Sequence, residues 1–275
     1  MQPALIIGGD SAIGSALAAH LTQQGKHVNV TSRKPEAMLK LDLADAPEHW
    51  PQLPAADVAF LCAAATGLDA CENDPVSTAH INVTHMQLLA TKLFAQGMYV
   101  VFLSSNQVFD GQKPYRHAQE ATCPANEYGK QKAAFEAWLI AQPYSASVLR
   151  LTKVIAGRLP ILEAWSQSLR QGMPVEAFTD LVFAPLPLAH VLEGLSLLYS
   201  QKPHGIFQLS GTHDISYYEI ASHLAATLQI DAARIIRTSA VAAGIKPQFL
   251  PRHGTLAQSD IFTVVCPEPL KVLGF

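Results

Sequence analysis

The fold is decided by residues 4–14, which read Ala4-Leu5-Ile6-Ile7-Gly8-Gly9-Asp10-Ser11-Ala12-Ile13-Gly14. Four apolar residues of strand length run into a turn that contains glycine, and an Ala/Leu-rich helical stretch follows as far as Gln24. Gly25 then supplies the left-handed residue that commonly ends a helix. A strand that turns into a helix in this way brings backbone N–H groups and a helix dipole to one point, where a phosphate can bind.

Strands and helices continue to alternate as far as Leu151. Apolar runs of strand length occur at residues 28–30, 57–62, 98–103 and 147–151, and helical patterns occur at 77–95 and 127–141. Such alternation implies a parallel sheet with helices on both faces. We therefore expect an α/β fold built on a Rossmann-type, doubly wound parallel sheet.

The regular alternation of strand and helix patterns ends after Leu151, where prolines divide the chain into short segments. Helical patterns remain at residues 161–170, 188–199 and 217–228, and a strand pattern at 205–209 is expected to return to the main sheet. We expect two interleaved units. Residues 1–155 form a dinucleotide-binding domain that carries the catalytic residues, and residues 156–275 form a smaller substrate-binding lobe over the C-terminal edge of the sheet.

The composition excludes several classes of protein. Of 275 residues, 49% are hydrophobic and 15% are charged, and the net charge is −3, which gives no basic surface for nucleic acid. No apolar run approaches the ~20 residues of a membrane span. The four cysteines form no CxxC pair, and His80 and His85 are five apart rather than four, so neither disulfides nor a metal site is expected. We expect a soluble cytoplasmic protein.

The turn after the first strand has the pattern G-x-x-S-x-x-G between Gly8 and Gly14. The pyrophosphate of a dinucleotide binds at such a junction, although the usual pattern carries another glycine where this chain has Ser11. We expect the Ser11 hydroxyl to donate to a phosphate oxygen; the alternative is a tight turn that binds no ligand. The expected cofactor contacts here are Gly8, Asp10, Ser11, Ala12, Ile13 and Gly14.

The end of the second strand predicts the type of dinucleotide. NAD sites usually carry a carboxylate at this point for the ribose 2′-hydroxyl, whereas a nearby arginine accommodates the 2′-phosphate of NADP. This chain has Ser32, Arg33 and Lys34 and no acid, which favours NADP(H) over NAD(H). Asp42, followed by Leu43, is expected to accept from the adenine amino group.

A catalytic group is indicated by two further segments. Ser104 and Ser105 come at the end of a buried strand, where doubly wound sheets bind ligands, and Tyr128 and Lys132 lie one helical turn apart. A lysine ammonium beside a tyrosine favours the phenolate and lowers its pKa from about 10. A serine hydroxyl would hold a carbonyl oxygen beside the tyrosine proton, so the set suits hydride transfer to a carbonyl.

These motifs together resemble the extended short-chain dehydrogenase/reductases, and within them the dTDP-4-dehydrorhamnose reductase group. The matching segments are Cys62-Ala63-Ala64-Ala65, Ile81-Asn82-Val83, Val108-Phe109-Asp110-Gly111 and Tyr128–Lys132 with Glu136. The resemblance implies that Ser105 is the catalytic hydroxyl, with Ser104 beside it. It also implies that Tyr128 is the acid/base and that Lys132 is its partner. Ala63, Ala64 and Ala65 would line the cofactor, and Asn82 would be structural or part of a proton relay near it.

The resemblance weakens on the substrate side. Asn106 and Gln107 replace the acid and tyrosine that usually follow the catalytic hydroxyl in this group. Gln107 and Arg252, with Ser104, are candidates for substrate contacts. Three hypotheses remain open: an NADPH-dependent reductase of a nucleotide-sugar carbonyl, an epimerase that uses the same residues, and a non-catalytic NADP-binding regulatory subunit. The family implies a possible homodimer.

Overall fold

The computed structural model describes residues 3–275. The strands are β1 (Ala4–Ile7), β2 (Val28–Val30), β3 (Val58–Leu61), β4 (Tyr99–Ser105), β5 (Ala146–Leu151), β6 (Lys153–Ile155), β7 (Val175–Phe178), β8 (Val182–Phe183), β9 (Pro185–Pro187), β10 (Gly205–Leu209), β11 (Ile215–Ser216) and β12 (Ile235–Thr238). The α-helices are α1 (Ala12–Gln23), α2 (Leu68–Asn73), α3 (Pro75–Ala79), α4 (Met86–Ala95), α5 (Glu127–Ile140), α6 (Pro160–Arg170), α7 (Leu188–Gln201), α8 (Tyr217–Thr227) and α9 (Pro269–Val272).

The main sheet contains six parallel strands in the order β2-β1-β3-β4-β5-β10. The strand order reverses between β1 and β3, and in open α/β sheets the crevice at such a switch point is where ligands bind. The loops after these two strands approach closely: a Cβ added to Gly8 would lie 2.7 Å from the backbone nitrogen of Ala63. The topology confirms the Rossmann-type α/β fold.

The two faces of the sheet are covered by different helices. Successive residues of β1 point to opposite faces, so Leu5 and Ile7 pack with α4 and α5, while Ala4 and Ile6 pack with α1 and α7. All four side chains are fully buried. Burial on both faces explains why the strands read as continuous apolar runs instead of alternating ones.

The C-terminal half returns to this sheet once. Strand β10 pairs parallel with β5, Gly205 opposite Ser147, as its sequence pattern predicts. Three two-stranded pairs, β6 with β9, β7 with β12 and β8 with β11, lie outside the main sheet. The division of the chain at residue 155 remains a prediction. Throughout residues 3–275, every helix falls short of the length and apolar character needed to cross a membrane.

The helix expected over residues 77–95 has a different construction. It begins at Pro75, where the Asp74 side chain accepts a hydrogen bond from the N–H of Ser77, and a π-helical turn at His80–His85 separates α3 from α4. The wider turn carries two buried polar side chains, Asn82 and His85. Single π-helical turns occur frequently at functional sites.

A buried ion pair joins α5 to the sheet. Glu136 accepts hydrogen bonds from Arg150, with Nη2 at 2.7 Å from Oε2 and Nε at 3.1 Å from both carboxylate oxygens. The Arg150 guanidinium also donates to the side-chain oxygen of Gln208 and to the carbonyl of Ala118. Both charged side chains are almost completely buried. The pair therefore fixes the helix that carries Tyr128 and Lys132 against β5 and β10.

Candidate active site

The turn between β1 and α1 uses Ser11 as a helix cap. The Ser11 hydroxyl donates to the carbonyl of Gly8 at 2.9 Å and accepts from the N–H of Gly14 at 3.0 Å. The single proton of this hydroxyl is accepted by Gly8 in this structure, and its donation to a phosphate stays a prediction. Within residues 3–275, the N–H groups of Ala12 and Ile13 have no hydrogen-bond acceptor. They remain free to bind an anion at the helix N-terminus.

A cleft of about 340 Å³ extends from this turn toward the end of β2. It is lined by Gly8, Asp10, Ser11, Arg33, Leu41, Asp42, Leu43, Ala44, Cys62, Ala63, Ala64, Ala65, Thr66 and Ile81. Ser32 and Lys34 adjoin this cleft without lining it, and the Ser32 hydroxyl is bound by Asp10. Asp42 also lines this cleft, and its carboxylate accepts from the N–H of Ala44.

The π-helical turn holds two loops of this cleft in place. Asn82 accepts from the N–H of Ala65 at 2.8 Å and donates to the carbonyl of the same residue at 2.9 Å. Its amide also donates to Gln131 of α5 at 2.7 Å, and His85 contacts the carbonyl of Leu43 at 2.6 Å. Asn82 is buried behind the cleft and does not line it. Asn82 thus positions Ala65, and its contact with a cofactor stays a prediction.

A second cleft, of about 310 Å³, contains the predicted catalytic residues. Ser104, Ser105, Tyr128 and Lys132 line it together with Ser11, Ala12 and Ile13. Ser11, Cys62, Ala64 and Thr66 line both clefts, so the two clefts adjoin. The Ser104 hydroxyl is buried and has no hydrogen-bond partner anywhere in the part of the chain that the structure describes.

The electrostatics of Tyr128 differ from the expectation. Burial raises the pKa of the Tyr128 hydroxyl above its ordinary value, instead of Lys132 lowering it. The Lys132 Nζ donates to the carbonyl of Leu103 at 2.9 Å and lies 5.6 Å from the centre of the Tyr128 ring. Burial lowers the pKa of Lys132 to about 8. The pair is thus a protonated phenol beside an ammonium group that loses its proton easily.

Ser105 connects the catalytic cleft to a third cavity, of about 340 Å³. The Ser105 hydroxyl accepts from the N–H of Gln107 and donates to Asn106, each at 3.2 Å. Asn106 in turn donates to the carbonyl of Gly254 at 2.8 Å, which ties the loop after β4 to the C-terminal half. The side-chain oxygen of Gln107 accepts from Asn126, the cap of α5.

The third cavity contains residues that the sequence alone did not predict. Lys153 is the charged residue among its lining, and Phe183 and Pro251 complete the wall on the C-terminal side. Lys153 could have been predicted from its position in the sequence, because it follows the end of a central parallel strand, where ligands bind. Arg252 is exposed and does not line this cavity, although its neighbour Pro251 does. No cluster of three or more His, Cys, Asp or Glu able to hold a metal occurs among residues 3–275.

The geometry fits a dinucleotide. The two adjoining clefts reach from Asp42 to Ser105 and share Ser11 at the N-terminus of α1, so a ligand that spans both would pass the free N–H groups. The turn itself has no room for side chains, since a Cβ on Gly9 would lie 1.9 Å from a methyl group of Val30. A narrow glycine turn under an open cleft is the arrangement that pyrophosphate binding requires.

A family model matches most of this chain, and a curated relative and a solved structure similar to it are both dTDP-4-dehydrorhamnose reductases. The family model of the RmlD substrate binding domain matches residues 1–265. A dTDP-4-dehydrorhamnose reductase of Streptomyces griseus is 26% identical in an alignment of 292 positions, gaps included, that covers 97% of this chain and 89% of that protein. A dTDP-4-dehydrorhamnose reductase of Bacillus anthracis, solved in complex with NADP, superimposes with a TM-score of 0.81 at 17% identity, over 99% of this chain and 97% of that one.

One relative is named as a subunit of another enzyme and not as a reductase. The methionine adenosyltransferase 2 subunit beta of Pongo abelii is 33% identical over 102 residues. That match covers 37% of this chain and 30% of the subunit's own length.

Proposed function

Because the chain belongs to the RmlD substrate binding domain family, we propose that it is an NADP(H)-dependent reductase that acts on a carbonyl group of a nucleotide sugar. The observation that carries the proposal is the second cleft, in which Ser105, Tyr128 and Lys132 face the turn suited to a dinucleotide. The dTDP-4-dehydrorhamnose reductases among its relatives support the substrate class.

The bound dinucleotide would supply a hydride to the carbonyl carbon. Tyr128 donates the proton to the carbonyl oxygen, and its raised pKa keeps that proton on the phenol at neutral pH until the oxygen becomes basic. Ser105 turns its hydroxyl from Asn106 to the carbonyl oxygen and holds it beside Tyr128. Lys132, fixed by its hydrogen bond to Leu103, stabilises the phenolate that remains.

Two features support the finer parts of the proposal. Arg33 lines the adenosine side of the cleft and would pair with the 2′-phosphate, which favours NADP(H). Lys153, beside Ser105, would meet an anionic part of the substrate, and Asn106 would donate to its hydroxyl groups. The part of the chain after residue 156 supplies Val182, Phe183 and Pro251 to the same cavity, in keeping with a substrate-binding lobe.

The test is oxidation of NADPH in the presence of dTDP-4-dehydro sugars, with the parent protein and Tyr128→Phe. We expect turnover in the parent, none in the variant, and nearly equal NADPH affinity in both, since the change removes one proton and little contact area. Tyr144→Phe, at an exposed tyrosine, is the matched control. Turnover in Tyr128→Phe would contradict the assignment of the acid.

A second candidate is a non-catalytic dinucleotide-binding subunit. The match to a methionine adenosyltransferase subunit favours it, as does the Ser105 hydroxyl, which is already engaged by Asn106. Tight NADPH binding without turnover of any keto sugar supports this candidate. Interconversion of sugars without net NADPH consumption would instead indicate an epimerase.

A further inference from the structure

A carboxylate from the glycine turn occupies the expected 2′-phosphate site. Asp10 accepts a hydrogen bond from the Ser32 hydroxyl at 2.6 Å and another from the N–H of Arg33 at 3.0 Å. The N–H of Lys34 donates to the Ser32 oxygen at 3.0 Å, so Asp10 anchors the whole tip of this loop. Asp10 and Arg33 both line the first cleft.

The hydrogen bond from Ser32, followed by that from Arg33, holds the pKa of the Asp10 carboxyl below its ordinary value. Asp10 is therefore charged at neutral pH. A phosphate that binds to Ser32 and Arg33 must compete with this carboxylate for the same two donors, and it does so as a like charge. A ribose hydroxyl, in contrast, would find in Asp10 an acceptor of the kind that NAD sites provide.

We infer that Asp10 is the residue that determines cofactor choice in this chain, by accepting a ribose hydroxyl of NAD(H) and opposing the 2′-phosphate of NADP(H). The inference rests on the proposed dinucleotide site. The acid that NAD sites usually carry at the end of the second strand is absent from Ser32–Lys34, and Asp10 reaches the same point from the preceding turn. Arg33 and Lys34 favour the phosphate, and Asp10 limits that preference so that both dinucleotides bind.

The experiment is calorimetric titration of the full chain with NADPH and NADH, for the parent protein and Asp10→Asn. The variant keeps the shape of the side chain and removes its charge, and Asp10 is exposed, so folding is preserved. We expect NADPH to bind about tenfold more tightly, or about 1.4 kcal/mol, while NADH binding stays equal or weakens. Glu36→Gln removes one charge from the exposed loop that carries Ser32 and Arg33, without touching either residue, and should change neither affinity by more than about twofold.

A second pair of probes isolates the phosphate. We expect 2′,5′-ADP to gain affinity in Asp10→Asn relative to 5′-ADP, because the two differ only in where the second phosphate is attached. Binding of both dinucleotides with an unchanged ratio in Asp10→Asn would overturn the inference and leave the proposed function standing. Binding of neither dinucleotide to the parent would overturn both.

Discussion

Replacing Glu136 with glutamine leaves the Arg150 guanidinium charged and buried without a counter-charge. The side chains of Arg150 and Glu136 are 1% and 2% exposed, and Glu136 accepts three hydrogen bonds, of which a glutamine oxygen can keep only part. Breaking a buried pair at one partner costs about 3–5 kcal/mol. Since a domain has about 5–15 kcal/mol of stability in total, this loss would be a large part of it.

Urea denaturation followed by tryptophan fluorescence measures the change. Glu127→Gln is the matched control on the same helix, because Glu127 pairs with Lys130 at the surface and its loss should cost less than about 1 kcal/mol. Combining Glu136→Gln with Arg150→Met should cost less than the sum of the single changes, since no uncompensated charge remains. Equal, sub-kilocalorie losses in Glu136→Gln and Glu127→Gln would refute the argument.

Three other changes test the supports of the cleft. Asn82→Ala removes three hydrogen bonds, so we expect the free energy of unfolding to fall by about 2–4 kcal/mol and NADPH binding to weaken. An unchanged urea midpoint together with an unchanged NADPH affinity would contradict the positioning role of Asn82. Gly129→Ala puts a Cβ 2.0 Å from the carbonyl oxygen of Gln107, so a loss of about 1–3 kcal/mol is expected, and a melting temperature equal to the parent's would count against this close contact. Burial lowers the pKa of Lys132 from 10.5 to about 8, so the folded chain releases this proton at a lower pH than the unfolded chain does. The free energy of unfolding of the parent should therefore rise by about 3 kcal/mol, relative to that of Lys132→Met, between pH 8 and 10.5. A constant difference between the two proteins in urea titrations over that range would exclude the lowered pKa.

The sheet could be predicted because its signals are local. An apolar run of four residues before Gly8 predicts β1 with the bounds that the structure has, and the helix that follows ends within one residue of the expected Gln24. Gly25 has the expected left-handed backbone, with φ of 72°. The strand at residues 205–209 was also predictable, since three of its five residues are apolar and it is of strand length.

The details of the site depend on contacts between residues distant in sequence. Asn82 turns inward because Ala65, 17 positions earlier, presents both its N–H and its carbonyl, and no periodicity in residues 77–95 reveals this. The engagement of Asn106 by Gly254 spans 148 positions. The raised pKa of Tyr128 likewise depends on how deeply neighbouring elements bury its side chain. The four-residue spacing between Tyr128 and Lys132 in the sequence contains no information about that burial.

Strand β10 pairs with β5 although it is synthesised much later, and this has a consequence for folding on the ribosome. Gln208 lies opposite Arg150 in the sheet although the two are 58 positions apart in the chain. At about 5–20 residues per second, a nascent chain that has completed β5 would wait roughly 3–12 s before the partner strand is made. During that interval β5 is an open, apolar strand edge of the kind that pairs with other chains. Slowed translation between these strands should therefore increase aggregation or chaperone demand without altering the finished protein.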